Sequence, residues 1–168
     1  MTDVSLEVSR LMLRELETFA REVLMFPDDA TLWKTLPGVT NSAGNLGRHV
    51  CGNLKHYLGA VLGGTGYARQ RDAEFAAREG TREAVARELR ETREIVSATL
   101  ARVPLSVLEA PYPEAVGGVV PRCDRFLIHL ATHLAFHLGQ AGYLRRALTG
   151  DARSSGAVAV KRLVDEDE

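Results

Sequence analysis

The chain has 168 residues, 45% hydrophobic and 26% charged, with a formal net charge of −1; these values suit one globular domain and exclude disordered and collagen-like classes. Without surplus positive charge a nucleic-acid partner is not expected, and no apolar run approaches the ~20 residues that cross a membrane. Two cysteines make no disulfide framework and the first turn is too acidic for a secretory signal, so a cytoplasmic protein is expected.

Helical periodicity runs through most of the chain. From Ser5 to Met25, Leu6, Leu13, Leu16, Phe19, Ala20, Val23 and Leu24 recur at gaps of three and four, which predicts one amphipathic helix ended by Pro27. A loop follows with Trp33 as its aromatic anchor. Asn41 and Ser42 are cap residues for a second helix, Ala43 to Leu62, with Gly63 and Gly64 as its left-handed stop. Gly44, Gly47, Gly52 and Gly59 lower the propensity of that span and imply close packing against a neighbour.

Residues 65–80 read as a polar connection with one helical turn. Thr81 caps a third helix to about Arg102, with Val85, Leu89, Ile95, Val96 and Leu100 inward and four-apart pairs Glu83–Arg87 and Arg90–Glu94 outward. Pro104 stops it, and a long loop leads to a fourth helix, capped by Asp124 and ending at Thr149–Gly150. Four long helices predict an all-α, four-helix bundle over residues 1–150. The remainder, 151–168, is expected to be a partly disordered tail, frayed at Asp165–Glu168.

Histidine placement carries the chemistry. Three of the five histidines, His129, His133 and His137, stand on the fourth helix in four-residue steps. Each step offsets the side chain by only about 40°, so two of them can reach one point, as on a zinc-binding His-x-x-x-His helix. Leu127, Leu130, Leu134 and Leu138 flank them. Cationic imidazoles on such an apolar stripe would repel, and a metal resolves that conflict by taking them neutral. His49 and His56 on the second helix are about 10 Å apart along its axis, too far for one ion to hold both. A pair from the fourth helix and one from the second make three ligands and an open position, the catalytic pattern. Cys51 points about 200° away from His49, and Cys123 has no base beside it, so neither is expected to act.

Two segments resemble a known family. Asn41-Ser-Ala-Gly-Asn-Leu-Gly-Arg-His-Val-Cys-Gly-Asn-Leu54, followed by Gly63-Gly64 and Arg71-Asp-Ala-Glu-Phe75, is similar to members of the DinB-like superfamily. His133-Leu-Ala-Phe-His-Leu-Gly-Gln140 resembles that superfamily's second signature. The resemblance implies an up-down-down-up bundle, often dimeric, with a divalent metal (nickel, zinc or iron) on His49, His133 and His137. It leaves His56 and His129 outside the ligand set. It also implies relatives that are metal-dependent transferases or isomerases using low-molecular-weight thiols such as bacillithiol or mycothiol.

The expectation is therefore a metal-dependent transferase that activates a small thiol toward an electrophile. In that reading His129 is a proton acceptor or a partner of a ligand histidine, Arg48 and Arg71 meet a carboxylate of the thiol, and Gln140 orients a ligand histidine. The alternative is a non-catalytic metal-binding or stress-related protein in which the ion is structural or sensed. A homodimer is expected, from the resemblance and because Leu11, Met12 and Leu13 cannot all face one core.

Overall fold

A computed structural model describes residues 4–157 and 159–160. Four long helices form it: α1 (Val4–Leu24), α3 (Ala43–Leu54), α5 (Arg82–Leu100) and α7 (Cys123–Thr149), joined through the short helices α2 (Asp29–Leu32), α4 (Arg71–Ala76) and α6 (Leu105–Leu108). Among the described residues β pairing is limited to the isolated bridges Pro111–Arg122 and Val116–Val119. The frayed end expected at Asp165–Glu168 lies outside the described residues.

Side-chain contacts give the directions of the helices. Arg82 at the start of α5 donates to the Phe26 carbonyl just past α1, and Arg90 meets Glu17, so α1 and α5 are antiparallel. His49 meets His133 while Tyr57 meets Phe126, so α3 and α7 are antiparallel. Glu22 meets Arg145 at one end, and Leu6 lines a groove with Leu127 at the other, which makes α1 and α7 parallel. The bundle is up-down-down-up, and each helix packs on two neighbours in the ring α1–α5–α3–α7.

The core is the sum of the inward stripes. Met12, Leu16, Phe19, Ala20 and Val23 of α1 meet Leu46, Val50 and Leu54 of α3, Val85, Leu89 and Val96 of α5, and Leu130, Leu134 and Leu138 of α7. Leu16, Phe19, Ala20 and Val23 of the expected α1 stripe are buried. Toward its start Met12 is fully buried in place of Leu13, which is partly buried, and Leu6 and Leu24 reach solvent at the ends. On α5 the four-apart pairs differ as well: Arg90 turns to Glu17 of α1, and Arg87 faces Glu91.

Two local features depart from the expected pattern, and the end of the fourth helix follows it. The helix expected to run to Leu62 leaves the α conformation at Lys55 and continues as a π-helix, Lys55–Leu62. There the Tyr57 carbonyl accepts from the buried Tyr112 hydroxyl at 2.6 Å, tying the 111–122 loop to the bundle. The α7 N-cap position is held by Arg122, not Asp124. Asp124 sits inside the first turn, accepting from Arg122 and from the Arg125 amide, where the positive helix end favours a carboxylate. After α7, Gly150 closes the helix at φ 70, and Arg145 donates to the Asp151 and Arg153 carbonyls beyond it.

Candidate metal centre

The α3 helix starts at a capping box in which Ser42 accepts from the Asn45 amide and Asn45 accepts from the Ser42 amide. That start sets Asn45, His49 and Asn53 at four-residue intervals along one flank. The Asn45 amide nitrogen donates to the carbonyls of Glu74 (3.0 Å), Phe75 (3.3 Å) and Ala77 (2.8 Å), so α4 is clamped onto this flank. Close approach is possible because Gly52 has no side chain: a Cβ there would stand 1.9 Å from Glu74 Oε1. Trp33 braces the other side, its ring against Gly44 and its indole N–H donating to the Gly80 carbonyl at 2.7 Å.

Antiparallel packing of α3 on α7 then brings His49, His133 and His137 together. Their nearest ring nitrogens lie within 4.8 Å of one another. His133 Nε2 is 3.2 Å from His49 Nε2 and 3.1 Å from His137 Nε2. The outer nitrogens are tied down. His49 Nδ1–H donates to Glu74 Oε2 at 3.0 Å, and His137 Nδ1–H donates to Gln140 Oε1 at 2.7 Å. Arg69 Nη2 also comes within 3.3 Å of His49 Nδ1, but the Glu74 contact at 3.0 Å is the shorter of the two. With Nδ1 of His49 and His137 protonated toward the acceptors Glu74 and Gln140, both Nε2 atoms carry lone pairs. Two lone pairs thus face His133 Nε2, which can donate to one of them at most. A cation at that point satisfies all three. Nitrogens at about 2.0–2.1 Å from a tetrahedral ion stand about 3.3 Å apart, close to the two spacings that involve His133. His49 and His137 offer nitrogens within 4.8 Å of each other. The donor set fits a divalent metal.

Electrostatics favour the same state. Burial, and then the neighbouring imidazoles His137, His49 and His129, push His133 down to about 4. Burial also lowers His137, against the opposing bond to Gln140. Glu74 is pushed up by burial but held lower overall by hydrogen bonds from Arg69 and His49. Arg69 binds both its oxygens, at 2.8 and 2.9 Å. Neutral imidazoles and an ionised carboxylate behind one of them are what a cation needs.

The remaining candidates divide. Gln140 sits behind His137, as expected of a residue that orients it. His129 is exposed and lies between Phe126 and His133, with ring centroids 5.9 and 6.2 Å away. Arg71 is exposed over Phe75 at 5.2 Å, and Phe75 lies on the His49 ring at 4.6 Å. Arg48, one residue before His49, points about 100° round the helix and stacks on Trp33 at 5.6 Å. His56 stands in the π-helix and pairs with Glu114 at 2.9 Å, away from the cluster. Cys51 and Cys123 are free and buried, and burial raises both thiols. Sequence reasoning missed Arg69 and the position of Glu74 behind His49. The one signal available was an acid in a motif that also holds Phe75.

Among the described residues no helix is long and apolar enough to cross a membrane. No curated protein and no solved structure matches the chain. The model of the mycothiol S-transferase family, a DinB-like family, matches residues 8–150. With its helical bundle, its paired histidine signatures and this match over most of its length, the chain belongs to the mycothiol S-transferase family.

Proposed function

We propose that the chain is a metal-dependent thiol S-transferase that holds one divalent ion (nickel, zinc or iron) on His49, His133 and His137. Its two substrates are a low-molecular-weight thiol, mycothiol by the family's name, and a carbon electrophile. The observation that supports this reading is the convergence of the Nε2 atoms of His49 and His137 on His133 Nε2, at 3.2 and 3.1 Å. A bound divalent ion supplies Lewis acidity at the position that the three imidazoles leave open, which favours a thiol there as thiolate.

The chain's own groups supply the rest. Glu74, itself held by Arg69, and Gln140 keep two of the imidazoles in the ligating tautomer. His129, exposed one turn from His133, takes the proton released when the S–H bond breaks. The sulfur lone pair then forms the S–C bond as the electrophile's C–Cl or C–O bond breaks. A chlorinated nitroarene gives chloride, and an epoxide gives an alkoxide that takes back the proton held by His129. Arg71 is raised on Phe75 above His49 and receives a carboxylate of the thiol substrate.

Purified protein is expected to carry one of these metals and to conjugate a small thiol to a chlorinated nitroarene or an epoxide. Removing the metal with a chelator should abolish turnover, and restoring it should return the activity. Metal-loaded protein that turns over neither electrophile with mycothiol would contradict the transferase reading.

A further inference from the structure

Two buried side-chain oxygens lack a hydrogen-bond partner among the described residues, Glu15 Oε2 on α1 and Asn53 Oδ1 on α3. Asn53 is the one beside the histidine cluster. It is 8% exposed and follows His49 by one helical turn, so the two Cβ atoms stand about 5–6 Å apart on the same flank. That flank faces α4 and α7, since Asn45 one turn earlier binds the α4 carbonyls and His49 meets Glu74 and His133. With His49 opposite His133 and Tyr57 opposite Phe126, Asn53 falls opposite the stretch around His129.

A buried carboxamide oxygen is costly to leave unpaired, and such oxygens in native proteins nearly always meet a donor. No donor among the described residues stands within hydrogen-bond distance of it. Arg69 turns its Nε and Nη2 to Glu74, with Nη2 also 3.3 Å from His49 Nδ1. A donor from outside the chain would satisfy the Asn53 oxygen.

We propose that Asn53 is a positioning residue of the metal centre, whose Oδ1 accepts a hydrogen from the water filling the position that His49, His133 and His137 leave open. This rests on the three-histidine metal reading above. Asparagine suits the task because it accepts without charge. It steadies the water yet leaves the ion's full positive charge to attract an incoming thiolate.

The test compares the full-length chain with Asn53→Leu and Asn53→Asp, using zinc alone in chelator competition and thermal melts of the metal-free proteins. Asn53→Leu should weaken zinc binding about tenfold or more, the usual effect of losing such a partner. Its metal-free form should melt no lower than the parent, because an unpaired buried oxygen has been removed. Asn53→Asp should bind zinc more tightly than the parent. If Asn53→Leu fails to fold, Asn53→Ala removes the oxygen without added bulk and is read in the same way. Zinc affinity within about twofold of the parent in the variants would overturn the proposal while leaving the metal site standing. So would weaker binding accompanied by a lower metal-free melting temperature, since the fold would then have changed. A parent chain that takes no zinc would overturn both readings together.

Discussion

At the scale of single residues, the centre depends on which nitrogen of each imidazole holds its proton. Glu74 decides this for His49, and Gly52 makes the room for Glu74. Glu74→Gln should weaken metal binding about 10–100-fold, and Gly52→Ala should act in the same direction by displacing the carboxylate. Chelator competition measures both. Unchanged affinity in Glu74→Gln would show that the carboxylate does not orient His49. Acid titration reads His133. Its native value near 4 lies below the ~6.5 of an unfolded histidine. The unfolded chain therefore takes up the proton first, so the contribution is whole above about pH 6.5 and lost as pH falls toward 4. His137, lowered as well, adds to the same slope. Metal-free protein should thus melt progressively lower between pH 6.5 and 4.5, and a flat or rising melting temperature over that window would count against neutral, buried ligands. The spacing of His129, His133 and His137 was legible in the sequence. The role of Glu74 was not, because it becomes a neighbour of His49 only after α4 folds back on α3.

At the scale of helices, periodicity located all four long elements because each buries a continuous apolar stripe. It failed where tertiary contacts outweigh the local pattern. The π-helix after Leu54 is of that kind, with its Tyr57 carbonyl serving Tyr112, more than fifty residues along the chain. So is the polar stripe Glu15, Thr18 and Glu22 on α1, all buried. Glu22 is balanced by Arg145 of α7, which is fully buried. No sequence spacing announces that pair. Arg145→Met should cost about 3–5 kcal/mol, because it strands a buried carboxylate, and the double variant with Glu22→Leu should recover most of the loss. Denaturant unfolding measures both, and equal stability of the single variant and the parent would contradict the pairing.

For the molecule as a whole, the bundle presents one side of α7 to solvent without a formal charge anywhere between Arg125 and Arg145. Ile128, Phe136 and Tyr143 are exposed along it. This surface, rather than the α1 residues Leu11, Met12 and Leu13, is where a homodimer would bury apolar area, since Met12 already lies in the monomer core. Sedimentation at micromolar concentration should give a dimer that Phe136→Glu dissociates. A monomeric parent would contradict this.

The chain is a helical bundle of the mycothiol S-transferase family, and the proposed chemistry rests on one ion at three imidazoles. Metal content after equilibrium dialysis against zinc tests that claim most directly. The parent chain, His56→Ala and His129→Ala should each retain about one ion per chain, whereas His49→Ala, His133→Ala and His137→Ala should each lose most of it while remaining helical. Full occupancy in any of the last three, or loss in His56→Ala, would contradict the account.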